Sequence, residues 1–137
     1  MWKYYAILSA VFAALTAILA KVGIKGISGN VATAIRTVVI LIIAWGIVVV
    51  GGQMKEVRDL SKHNILFLAL SGVATGLSWI CYFKALETGE VSKVAPIDKL
   101  SIVIAMILAF LLLKEPAEPK VIAGGILITI GAIVIIW

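Results

Sequence analysis

Five apolar stretches, at about residues 4–20, 31–50, 64–84, 94–113 and 120–137, take up most of this 137-residue chain. At about 1.5 Å per residue each extends roughly 25–30 Å, the thickness of a bilayer's hydrocarbon core. Backbone amides cannot go unpaired in lipid, so these stretches are expected to be helices despite their many Val and Ile residues, weak helix formers in water. A transmembrane barrel would need strands of about ten residues with alternating polar and apolar side chains, and none of the stretches alternates. The count is odd, which places the two termini on opposite faces of the membrane. A second copy joined end to end would therefore run upside down, the relation on which inverted-repeat assemblies are built.

Composition supports a membrane class. Hydrophobic residues make up 63% of the chain, against about 45–50% in soluble domains. A chain this short leaves much of its area exposed, so the surplus apolar surface must face lipid. The expected fold is an all-α integral membrane protein, one domain over 1–137, with no length left for a soluble domain. Lys3 followed by an apolar run has the form of a secretory leader, but no small-x-small cleavage site follows, so the first helix is expected to be retained.

The net charge of +5 raises nucleic acid as a partner. The basic residues are scattered through loops and helix ends without interleaved aromatics, which points to lipid headgroups instead and excludes nucleic acid. Cys81 is the single cysteine, so neither an intrachain disulfide nor a cysteine-based zinc site is available. The lone histidine, His63, falls in a loop. With no Gly-rich phosphate loop, no metal-spaced cluster and no Ser-His-Asp set, the chain does not read as an enzyme, and no metal or cofactor is expected.

Basic residues also set orientation. Lys3, Lys55, Arg58, Lys62, Lys114 and Lys120 fall on the face of the N-terminus. Lys21, Lys25, Lys84 and Lys93 fall on the other, with Arg36 and Lys99 a little inside the membrane near that side. The bias toward a cytoplasmic N-terminus is small, and insertion in both orientations in the inner (cytoplasmic) membrane is expected. Among the connections, Gly23, Gly26 and Gly29 end the first helix, Asp59 and Ser61 are candidate N-caps for the third, and Gly89 stops it. Glu115-Pro116 ends the fourth helix and Pro119 starts the fifth.

A charged group within the membrane costs a few kcal/mol, so its default reading is functional. Arg36, Asp98 and Lys99 fall in one leaflet, within about 10 Å of one surface. An Arg36–Asp98 pair across two helices would leave Lys99 uncompensated. Alternatively, Pro96-Ile97-Asp98 opens the fourth helix, with Pro at its first position and an acid in its first turn. Asp98 and Lys99 would then be interfacial, with Lys99 snorkelling. Arg36 stands more than a turn inside its apolar stretch and carries the stronger functional expectation.

Thr75, Trp79 and Tyr82 share a helix face by their i, i+4, i+7 spacing. Tyr82 suits an interfacial belt, while Trp79, deeper and beside Gly76, is expected to line a cavity. Small residues that let helix backbones approach recur at Gly72 and Gly76, and at Gly124, Gly125 and Gly131. The first pair is expected to pack within one subunit, the second group against a partner subunit.

Several segments together resemble a known family. These are Ser71-Gly72-x-x-x-Gly76-Leu77-Ser78, Tyr82-Phe83-Lys84-Ala85-Leu86, Val94-Ala95-Pro96-Ile97, Leu113-Lys114-Glu115, and the run from Ile122 through Gly124-Gly125 to Ile128 with Gly131. Their order and spacing resemble the five-helix EamA domain of the drug/metabolite transporter superfamily, over essentially the whole chain. The segments Asn30 to Arg36 and Pro96 to Ser101 further resemble stand-alone, single-domain members.

Most relatives have two inverted five-helix repeats around a central cavity and move small metabolites. The resemblance implies that this chain is one half of such a ten-helix fold: a half-size transporter working by alternating access as an antiparallel homodimer. Arg36, Thr75, Trp79, Asp98 and Lys99 are then candidates for the substrate path. A net positive lining would favour an anionic or zwitterionic metabolite. The four-helix small multidrug resistance proteins are the nearest mechanical analogue, but their essential first-helix glutamate has no counterpart here. The competing reading is a non-transporting accessory or scaffold subunit of a hetero-oligomer.

Overall fold

Helices and turns make up the whole of the computed structural model, which describes residues 1–137 and contains no strand. The elements are α1 (Trp2–Gly23), α2 (Gly29–Val50), α3 (Met54–Arg58), α4 (Lys62–Thr88), α5 (Val91–Asp98), α6 (Leu100–Leu112) and α7 (Pro119–Ile136). Five spans are long and apolar enough to cross a bilayer: α1, α2, α4, α5 with α6, and α7. Their large apolar side chains, such as Ile42, Leu68, Leu111 and Val134, are exposed. A surface of this kind is stable only against lipid.

Local chemistry explains where the helices stop. After α1 the chain turns at Gly26, whose φ of +81° suits a residue without Cβ. Ser28 caps α2 by accepting from the Val31 amide at 3.4 Å. The connection after α2 folds into the short α3, and Asp59 ends that helix rather than starting the next. Ser61 is the residue that caps α4, its Oγ accepting from the Asn64 amide at 3.1 Å. α4 runs beyond the apolar stretch as far as Thr88, immediately before Gly89.

The fourth span differs most from expectation. Pro96 does not open it but lies inside α5, which begins at Val91. Proline has no N–H to offer the Ser92 carbonyl, and its ring crowds that carbonyl. The span is interrupted shortly afterwards at Lys99, before α6 resumes at Leu100. Lys114 turns the chain out of α6 with a left-handed φ of +54°, and Pro119 takes the first position of α7.

The chain divides into two compact units, Ile18–Thr88 and a second made of Met1–Ala17 with Gly89–Trp137. In the first, α2 packs on α4. Gly29, Ala32 and Thr33 are buried on α2, and Phe83 and Leu86 are fully buried on α4. In the second, α5, α6 and α7 pack together.

Among the glycines of α7, one is in close contact within its own unit. Gly125, expected to face a partner subunit, packs inside the chain, where a Cβ would stand 3.0 Å from Met106 Cε of α6. A Cβ at Gly72, Gly76, Gly124 or Gly131 would have nothing within 4 Å. Gly125→Ile should accordingly cost about 1–3 kcal/mol by overpacking. The melting temperature of the purified protein should fall, while Gly46→Ala, at a position with open space, should not lower it.

Candidate functional site

Trp79, Phe83 and Glu87 are spaced by four residues along α4 and so lie on one face. Opposite them, α2 presents Gly29 at its first position, Thr33 one turn on and Arg36 about 10 Å from the helix start. The seam between the two helices carries the densest polar and aromatic chemistry of the Ile18–Thr88 unit.

At its end the backbones nearly touch. A Cβ on Gly29 would lie 3.0 Å from the Phe83 carbonyl carbon and 3.2 Å from the Lys84 nitrogen, so glycine is what permits this approach. The Gly29 amide donates to Oε1 of Glu87. That amide has no acceptor within its own helix, and the carboxylate meets it at the positive end of the α2 dipole. Lys21 Nζ donates to the Leu86 carbonyl at 2.6 Å. This places a cation on one of the last, unpaired carbonyls of α4, at the negative end of that dipole. Each helix end is thus satisfied by a side chain of a neighbour.

Deeper in the seam, the hydroxyls of Thr33 and Thr37 bond back to the Gly29 and Thr33 carbonyls, both at 2.8 Å. The Arg36 guanidinium lies 4.7 Å from the Phe83 ring centroid and 5.3 Å from that of Trp79. Both distances are within cation–π range, contributing about 0.5–2 kcal/mol depending on desolvation. The Tyr82 and Phe83 rings meet edge-on, with centroids 6.1 Å apart. Arg36 is half-buried, as is Trp79. Two ring faces meet its charge, and no carboxylate of the Ile18–Thr88 unit lies within ion-pair distance.

Asp98 and Lys99 fall in the other unit. Asp98 Oδ2 pairs with Lys99 Nζ at 3.2 Å. Adjacent residues at the interruption of the fourth span reach one another with little ordering cost, whereas a pair between helices must be held by packing. Thr75 is exposed, and its hydroxyl bonds to the Ser71 carbonyl at 2.9 Å within α4. Of the residues singled out from sequence, the seam brings Arg36 and Trp79 together. Phe83, Glu87, Gly29 and Lys21 were not singled out as site residues, and Gly29 opens α2 instead of ending α1. The four-residue spacing of Trp79, Phe83 and Glu87 was the available signal, but Phe83 is submerged in an apolar run and Glu87 falls in what reads as a helix end beyond the headgroups. No three His, Cys, Asp or Glu side chains come close enough to hold a metal ion.

Five lipid-exposed helical spans, with a cation laid on aromatic rings inside one of them, define a multi-pass membrane protein. Comparison with known proteins identifies its kind: residues 1–137 match the EamA-like transporter family, and the chain belongs to that family. This agrees with the drug/metabolite transporter superfamily that the sequence resembles. A Sinorhizobium protein named "Uncharacterized transporter in cobO 3'region" is 47% identical over 134 residues, covering 98% of this chain and 95% of the relative. No solved structure matches.

Proposed function

We propose that the chain is a half-size transporter of small anionic or zwitterionic metabolites, working by alternating access as an antiparallel homodimer in the cytoplasmic membrane. The observation that carries this reading is Arg36. Its charge lies inside an apolar span, oriented by Phe83 and Trp79 and not neutralised by a carboxylate of its own unit. It is therefore free to meet the anionic group of a solute. Asp98 and Lys99 neutralise each other, and the Thr75 hydroxyl is engaged within its helix, so they offer less to a substrate.

Two further observations support the half-size and dimeric parts. The match covers 95% of the Sinorhizobium relative, so that relative has no length for a second five-helix repeat. The open faces at Gly72 with Gly76, and at Gly124 with Gly131, allow close approach by helices of a second copy. Near-equal basic charge on the two faces permits both orientations.

Reporters fused to the C-terminus should be active on both faces of the membrane. Activity confined to one face would rule out the antiparallel homodimer. Purified protein in liposomes should support counterflow of an amino acid or organic acid, and its absence across those classes would favour the accessory-subunit reading.

A further inference from the structure

The buried residues of α2 and α4 all lie at one end of the pair: Gly29, Ala32 and Thr33 at the start of α2, Phe83 and Leu86 at the end of α4. Past Arg36 no residue of α2 is buried, and no residue of α4 before Phe83 is buried. Methyl groups at Gly46 or Gly72 would meet nothing within 4 Å. The seam is shut at one end and loose along the rest.

The shut end is held by more than apolar contact. Glu87 is bonded to the Gly29 amide, and Lys21 to the Leu86 carbonyl. A cavity of about 350 Å³ adjoins these contacts, with Lys21, Lys25, Ser28 and Glu87 in its wall. These bonds join helix ends where the spans meet water, so water can replace either partner. An apolar seal has no such alternative. Once released, the Glu87 carboxylate finds compensating charge on Lys21 and Lys25 in the same cavity wall.

We propose that Glu87 is a gate latch. On the Gly29 amide it closes the α2–α4 seam over Arg36, and its departure opens the route to Arg36 from this face. The inference rests on the alternating-access reading and adds the residue that controls one side. Its chemistry explains why position 29 is glycine: any larger residue would hold the latch open.

The test uses Thr33, which is 8% exposed behind the latch. In a Cys81→Ser background, Thr33→Cys in lipid nanodiscs should react slowly with a membrane-impermeant maleimide. Glu87→Ala should raise the rate roughly tenfold, the change in an opening equilibrium expected from losing one charge-assisted hydrogen bond. Gly29→Ala should raise it by a different route, wedging its Cβ against the Phe83 backbone. Glu87→Gln, which can still accept from the Gly29 amide, should fall between. If Glu87→Ala fails to fold, Gly29→Ala and Glu87→Gln decide the matter.

Unchanged labelling in these variants overturns the latch, and does so even where the parent protein shows counterflow and the transport reading stands. Faster labelling in a protein that moves no amino or organic acid removes the transport reading instead, and the gate with it.

Discussion

Arg36→Ala is expected to reduce counterflow in liposomes by roughly a hundredfold, the consequence of removing one partner from a desolvated charge contact. The guanidinium lies on the rings of Phe83 and Trp79 with no carboxylate of its own unit paired to it, so its removal leaves a solute's anionic group without a counter-charge. Stability should change little, because the forfeited cation–π contacts, about 0.5–2 kcal/mol each, are set against no longer holding a charge inside a span. Lost flux with an undiminished melting temperature is thus the signature of a substrate contact. Arg36→Lys should retain part of the flux, since it keeps the charge but not the planar group that stacks on the rings. Unchanged flux in the alanine variant would remove Arg36 from the mechanism.

Phe83→Ala should give the largest loss of stability of any single truncation in the Ile18–Thr88 unit, roughly 3 kcal/mol. Phe83 is 0% exposed at the point where α2 and α4 approach most closely, and its ring also carries Arg36. In a bilayer the transfer contribution is small because lipid is itself apolar, so the loss comes from the cavity and the forfeited van der Waals contacts. Phe67 on the same helix is 57% exposed, and Phe67→Ala should change stability little. Equilibrium unfolding in mixed micelles compares the two, and equal effects would mean that the α2–α4 seam is not the unit's core.

The spans were legible because lipid leaves the backbone no partner outside a helix, which makes any long apolar run informative without reference to its neighbours. Caps of short range were legible for a similar reason. Ser61 at the start of α4 and Pro119 at the start of α7 act through residues within one turn. Pro96 was harder to place. The same residue type opens a helix or interrupts one, and the choice depends on whether the residues before it, from Val91, also coil. For Asp98, sequence shows which charges share a leaflet but does not choose among partners, and the structure sets it beside its neighbour Lys99.

Residue order therefore settles the class of this protein: five helices, lipid-facing surfaces, a charged residue inside the second span and membership of a transporter family. Tertiary structure alone decides which of the many apolar residues form the core, because in lipid burial carries no mark of hydrophobicity. Phe83 and Phe67 are the same side chain in the same helix, and packing against Gly29 and Arg36 distinguishes them. The pairing of Glu87 with a backbone amide 58 residues away likewise depends on two helix ends meeting in space, an encounter between α2 and α4 that no local pattern encodes.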